Sequence, residues 1–129
     1  MKSKEKYVKY RLAKAEETFE VAELLIKNMK WNSAINRLYY SAYYAISGLL
    51  VKSDFTTKTH AGVKTKFSLE FIKTNKIEIR LGRVFADLFD WRQKGDYGDF
   101  FDFTEEDVNS ILEPTRELLE AVKKEIQKK

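Results

Sequence analysis

Three side chains that could do chemistry crowd into RQKGDYGDF, residues 92–100, where Arg92 is followed by Asp96 at four residues and Tyr97 at five. A guanidinium offers a planar fork of donors that fits carboxylate and phosphate oxygens alike. The spacing therefore admits two chemistries. An arginine and an aspartate four apart on a helix form an ordinary salt bridge. The same arginine, if it has donors to spare, would hold a phosphate group and neutralise charge that develops on it. Arg92 falls four residues after Leu88 and seven after Phe85, so it continues the apolar stripe of its helix and leaves the solvated face. A charge placed there must find acceptors, because an unpaired buried charge is strongly destabilising.

A second group lies in INRLYYSAYYAI, which holds four of the seven tyrosines. Arg37, Tyr40 and Tyr44 stand at i, i+3 and i+7 and share one helical face beside an apolar seam. Tyrosines in that position pack their rings while their hydroxyls look for partners. They read either as contacts for RNA or a nucleotide, or as core and dimer-interface aromatics. The single histidine, His60, opens the helix in KTHAGVKTKF. It suits a hydrogen-bonded helix start and, with its near-neutral pKa, proton transfer as well.

Other chemistries lack their residues. There is no cysteine, and the position three before His60 is Thr57, so the Glu-x-x-His pairs of a di-iron bundle are missing. No phosphate-binding glycine loop, dinucleotide fingerprint or nucleophile elbow occurs. The sequence calls for no metal and no cofactor.

The elements that must position these groups are helices. The 129 residues suffice for one domain, 1–129, and 5 glycines with 1 proline give too little turn chemistry for an all-β fold. Apolar residues recur in steps of three and four from Lys4 to Met29, and again from about Asn32 or Ser33, either a suitable cap, to about Val51. The second run is apolar on more than one face and reads as the central helix. A connector at 53–59 precedes a helix near His60 to Thr74, with Val63, Phe67 and Phe71 on one face. A fourth begins near Glu78, with Gly95 and Gly98 expected to close it as left-handed caps. Thr104 and Asp107 form a capping-box pattern for the last helix, with a kink expected at Pro114. The fold class is all-α, an up-and-down bundle of about five helices.

The charge of +4 comes from 24 basic and 20 acidic residues that are interspersed, which permits a nucleic-acid partner without demanding one. The N-terminus has no apolar core of a signal peptide and no run approaches a membrane span, so a cytoplasmic protein without membrane attachment is expected.

The strings NRLYYSAYYAISGLL, KTHAGVKTKF and LFDWRQKGDYG, in this order and spacing, resemble the HEPN domain family across roughly residues 5 to 125. The matching elements are an Arg-x-Tyr-Tyr helix, a Thr-His-x-Gly connector and an Arg-x-x-x-Asp-Tyr helix end. The resemblance implies a helical bundle that is commonly a homodimer and is often paired with a minimal nucleotidyltransferase in a toxin–antitoxin module. It also implies an RNA- or nucleotide-binding protein, since many relatives are metal-independent endoribonucleases. In those enzymes an arginine and a histidine with four to six residues between them act on an RNA phosphodiester. Arg92 matches the arginine, but the histidine window holds Tyr97, Gly98 and Asp99. The resemblance thus nominates Arg92, Asp96, Tyr97 and His60 for catalysis and Arg37, Tyr40 and Tyr44 for RNA or nucleotide binding. The alternative is a catalytically silent interaction and dimerisation module that serves as binding subunit for a nucleotidyltransferase, with Phe100, Phe101 and Phe103 as its docking cluster.

Overall fold

In the computed structural model the described residues are 2–98 and 101–128, without the side chains of Lys2 and Tyr97. Helix α1, Lys2–Lys27, buries Val8, Ala15, Phe19 and Ala22 along one face, as its three-and-four spacing requires. A short turn leads to α2, Trp31–Lys52, which is buried on several faces through Ala34, Ile35, Leu38, Tyr39, Ala42, Ala45, Ile46, Leu49 and Leu50. It packs along α1 and touches every later helix, which makes it the central element. Helix α3, His60–Phe67, is followed directly by a π-helical turn at Ser68–Ile72, then by α4, Ile79–Tyr97, and α5, Glu105–Gln127. Among the described residues no strand is present, and no helix is long and apolar enough to cross a membrane. The bundle is all-α.

Several local expectations hold and others change. The Thr104–Asp107 capping box forms in both directions, at 3.1 and 2.9 Å, and satisfies two of the orphan amides at the start of α5. Helix α5 continues through Pro114. Neither Asn32 nor Ser33 caps α2, which begins one residue earlier with Lys30 at its cap position and no capping side chain. Asn32 bridges to the far loop instead, donating to the Phe101 carbonyl at 2.9 Å and accepting from the Phe103 amide at 2.7 Å.

The helix expected from His60 to Thr74 widens at Ser68, where the Lys73 amide reaches back five residues to the Ser68 carbonyl. That extra residue lets the adjacent Phe71 and Ile72 both enter the core beneath Val63 and Phe67. Gly95 and Gly98 are not left-handed caps. Gly95 lies inside α4 and Gly98 is extended at φ −83°. A Cβ at residue 95 would come within 3.0 Å of the Phe103 ring, so glycine there serves close packing. The left-handed positions are Met29, Asp54 and Asn75, each just beyond the end of a helix or the π turn.

Phe103 also departs from the docking-cluster expectation. It is buried against Trp91, with ring centroids 5.5 Å apart, and Phe101 crosses it edge-on at 4.9 Å. Phe100 lies outside the described residues.

Candidate RNA-binding and catalytic site

The apolar periodicity of α4 sends Leu81, Phe85, Leu88 and then Arg92 toward α2, and Arg92 is only 9% exposed. The facing stretch of α2 is aromatic, so the guanidinium lies over two rings, 5.0 Å from the Tyr39 centroid and 5.6 Å from that of Tyr40. Cation–π attraction of this kind offsets part of the desolvation of the charge. The polar partners are few and distant. Nη1 donates to the Tyr40 hydroxyl at 3.3 Å and stands 3.7 Å from an Asp96 oxygen. Nε is buried with no hydrogen-bond partner among the described residues. The expected Arg92–Asp96 pair exists, therefore, but it is long and leaves donor capacity unused.

Asp96 is held more firmly from elsewhere. The Asn36 amide donates to its two oxygens at 3.0 and 3.4 Å, and the Asn36 carbonyl oxygen accepts from Arg37 Nε and Nη2 at 3.0 and 2.7 Å. Arg37 also lies over the Tyr40 ring at 5.0 Å, and Tyr40 and Tyr44 are neighbours at 5.9 Å. The three nominated α2 residues thus form one surface with Arg92 and Asp96. A cleft of ≈ 490 Å³ opens beside it, lined by Asn32, Ser33, Asn36, Arg37, Gly95 and Asp96, with Leu25 at its apolar edge. Tyr97 lies on α4, but its side chain is outside the description.

His60 comes to the same place from α3. Thr59 caps that helix by accepting from the Gly62 amide at 2.8 Å, which fixes the first turn and with it the imidazole. Nδ1 of His60 is 2.7 Å from the hydroxyl of fully buried Tyr39. The ring stacks on Tyr43 at 4.3 Å and stands edge-on to Tyr40 at 5.7 Å. Nε2 has no protein partner among the described residues. Burial, and then the nearby charge of Arg92, hold the His60 pKa below its ordinary 6.5, so the ring is neutral at pH 7. Burial pushes the Tyr39 hydroxyl up against the opposing pull of Arg92, and it pushes Tyr43 up as well. With Tyr39 keeping its proton, the Tyr39–His60 bond can run in either direction. When Nδ1–H donates to the Tyr39 oxygen, Nε2 is a free base; when Tyr39 donates, Nε2 carries the proton.

Tyr39, Tyr43 and Asn36 are part of this arrangement without being nominated by the sequence. Tyr39 has a legible signal: it sits on the buried stripe of Ile35, Ala42 and Ile46, and a tyrosine on such a stripe needs a partner for its hydroxyl. Asn36 carries none, because its role depends on α4 arriving opposite.

Comparison with known proteins bears on the same residues. The chain matches the HEPN domain over residues 8–126, a span that contains every group of the site. It is 37% identical to a UPF0332 protein of Thermotoga maritima over 127 residues, 98% of this chain and 96% of that one. Two proteins of Methanocaldococcus jannaschii whose names mark them as candidate toxins are each 31% identical over 113 residues. That span is 88% of this chain and 77% and 84% of theirs.

Proposed function

This chain belongs to the HEPN domain family, and from that premise we propose that it is a toxin-like protein that binds and cleaves RNA at the Arg92 surface. The observation that carries this reading is the meeting of an under-coordinated guanidinium with a neutral imidazole on the same pair of tyrosine rings. It offers what phosphodiester transfer needs: a fixed cation for the phosphate and a base for the attacking hydroxyl.

In this scheme the ribose 2′-oxygen attacks the adjacent phosphorus, and its proton passes to His60 Nε2. A bond forms between the 2′-oxygen and phosphorus as the bond from phosphorus to the 5′-oxygen breaks, and the 5′-oxygen takes a proton from solvent. The products are a 2′,3′-cyclic phosphate and a 5′-hydroxyl. Arg92 neutralises the charge gathering on the phosphate oxygens. Asp96, anchored by Asn36, orients Arg92, while Arg37, Tyr40 and Tyr44 hold the strand by charge and base stacking. His60, from another helix, takes the place of the motif histidine that the 97–99 window lacks. The toxin names of the Methanocaldococcus relatives support a toxin–antitoxin setting. There the chain works as a homodimer in the cytoplasm, with a minimal nucleotidyltransferase as partner.

The test is cleavage of an end-labelled mixed RNA by wild type, Arg92→Ala and His60→Ala purified identically. Each substitution is expected to lower the rate by roughly 100-fold or more. Equal residual rates in all three would remove the cleavage reading. The Arg92–Asp96–Asn36–Arg37 network would then be a structural tie in a silent binding subunit.

A further inference from the structure

A cavity of ≈ 320 Å³ opens between α3, the π turn and α4, and none of its lining residues belongs to the Arg92 surface. Its shape is set by how the π turn meets α4. Ile72, brought inward by the widening at Ser68, presses on Gly82, where a Cβ would come within 2.9, 3.0 and 3.1 Å of three Ile72 carbons. The glycine lets these two elements touch. Ala86, one turn on, has only a methyl group, and the space it shares with Phe67 and Phe85 stays open. Ile79 also lines the cavity and is 67% exposed, so a body lying in the cavity gains by covering it.

The charged members of the wall are of one sign. Lys64, Lys73 and Arg83 line the cavity, and no carboxylate among the described residues does. None of the three cations forms an ion pair among the described residues. The chain as a whole intersperses 24 basic with 20 acidic residues, so this local excess comes from the fold and not from composition. Lys64, Ser68 and Lys73 also line a second cavity of ≈ 310 Å³ alongside, where the Lys64 ammonium lies 4.8 Å over the Phe89 ring. The cations therefore border the apolar space. An anionic head placed among them keeps part of its water and escapes the full cost of burial. Apart from the cations, the Ser68 hydroxyl is the one polar side chain of the wall among the described residues, which leaves too few donors and acceptors to read the edge of a nucleobase.

We infer that this cavity binds a small amphipathic anion, a monocarboxylate whose apolar body lies against Phe67, Ile72 and Phe85 while its head meets Lys64, Lys73 and Arg83. Small-molecule sites are built in this way, with mostly apolar walls and a few converging polar groups that fix orientation. The volume sets the size of the body. An apolar cavity of about 150 Å³ holds benzene, so one of ≈ 320 Å³ takes roughly eight carbons or two fused rings. The π turn fits the same reading, since such turns recur at functional sites, and Ser68 at its start belongs to the wall of both cavities. Binding here uses none of the residues of the Arg92 surface and is independent of RNA cleavage.

The experiment is calorimetric titration of the full chain with sodium octanoate below its micellar concentration, with circular dichroism to confirm that each variant is folded. One octanoate per chain is expected to bind. Acetate, which lacks the body, and 1-octanol, which lacks the charge, should each bind more weakly by roughly tenfold or more. Lys73→Gln/Arg83→Gln changes two exposed side chains and is expected to weaken octanoate by roughly tenfold or more while leaving 1-octanol unchanged. Ala86→Phe fills the cavity and should abolish binding of both. Where that variant fails to fold, Ile79→Ser at its exposed position takes its place and should weaken both ligands alike. The absence of saturable octanoate binding at millimolar concentration overturns the inference. So does octanoate binding that Lys73→Gln/Arg83→Gln leaves unchanged, or acetate or 1-octanol that binds as tightly as octanoate. Adenosine monophosphate that displaces octanoate overturns it as well, because the wall would then be reading a base.

Discussion

Replacing Arg92 with methionine separates an arginine that holds the fold from one that is held by it. The two roles predict changes of opposite sign. The interactions lost are modest in this geometry. The Asp96 pair, at 3.7 Å with Asp96 partly exposed, contributes about 0.5 kcal/mol. The 3.3 Å bond to Tyr40 contributes about 0.5–1 kcal/mol, and the guanidinium over Tyr39 and Tyr40 about 1 kcal/mol. Against these stands the Nε group, buried without a partner, whose desolvation costs about 1–3 kcal/mol. Methionine removes that cost and adds sulfur–aromatic contact on the same rings of about 0.3–1.5 kcal/mol. Taken at their midpoints these terms favour the variant by about 0.5–1 kcal/mol, or roughly 2–4 °C in Tm for a chain of this size. Asp96 keeps both bonds from Asn36, so its removal from Arg92 leaves it solvated and paired. The assay is urea unfolding followed by circular dichroism, with the slope m compared between proteins so that the midpoint shift can be read as stability. A more stable and inactive Arg92→Met is the expected result. A loss of more than about 2 kcal/mol would refute the reasoning and make Arg92 the clasp between α2 and α4.

Three further outcomes follow from the geometry. Because the folded pKa of His60 lies below 6.5, the unfolded chain binds a proton that the folded chain refuses in the window between the two values. Stability should thus be fully present above pH 6.5 and fall as pH drops through that window, and His60→Gln should flatten this slope in unfolding titrations. Met29 sits at φ 58° with 71% of its surface exposed, so Met29→Gly should stabilise by about 0.5–1 kcal/mol in the same unfolding measurement. Asn32→Ala removes both bonds that pin the loop at Phe101 and Phe103. It should destabilise by about 1–3 kcal/mol and speed amide exchange at Phe103, and unchanged exchange there would show that Phe103 packing alone fixes the loop.

What could be read from the sequence, and what could not, divides by the range of the interactions involved. Helix existence follows from periodicity, which is local, and α1, α2, α4 and α5 lie where their apolar spacing puts them. The Thr104 capping box is local too, and it forms as written. Gly95 was misread because a glycine near a helix end signals a left-handed cap only if nothing else needs the space. Here Phe103, eight residues on, packs against its bare Cα. Asn32 was misread for the same reason: a residue suited to capping its own helix is drawn to a loop some seventy residues away. The site follows this division. Position on the α4 stripe places Arg92 inward, and helical spacing groups Arg37, Tyr40 and Tyr44, so those were legible. That Tyr39 rather than Asp96 is the broad surface beneath the guanidinium, and that His60 reaches that tyrosine from α3, depend on how three helices cross. The family spacing looks for its histidine with four to six residues between it and the arginine, at positions 97–99. This chain has placed an imidazole within reach of the same rings by a different element, and a search along α4 alone could not have found it.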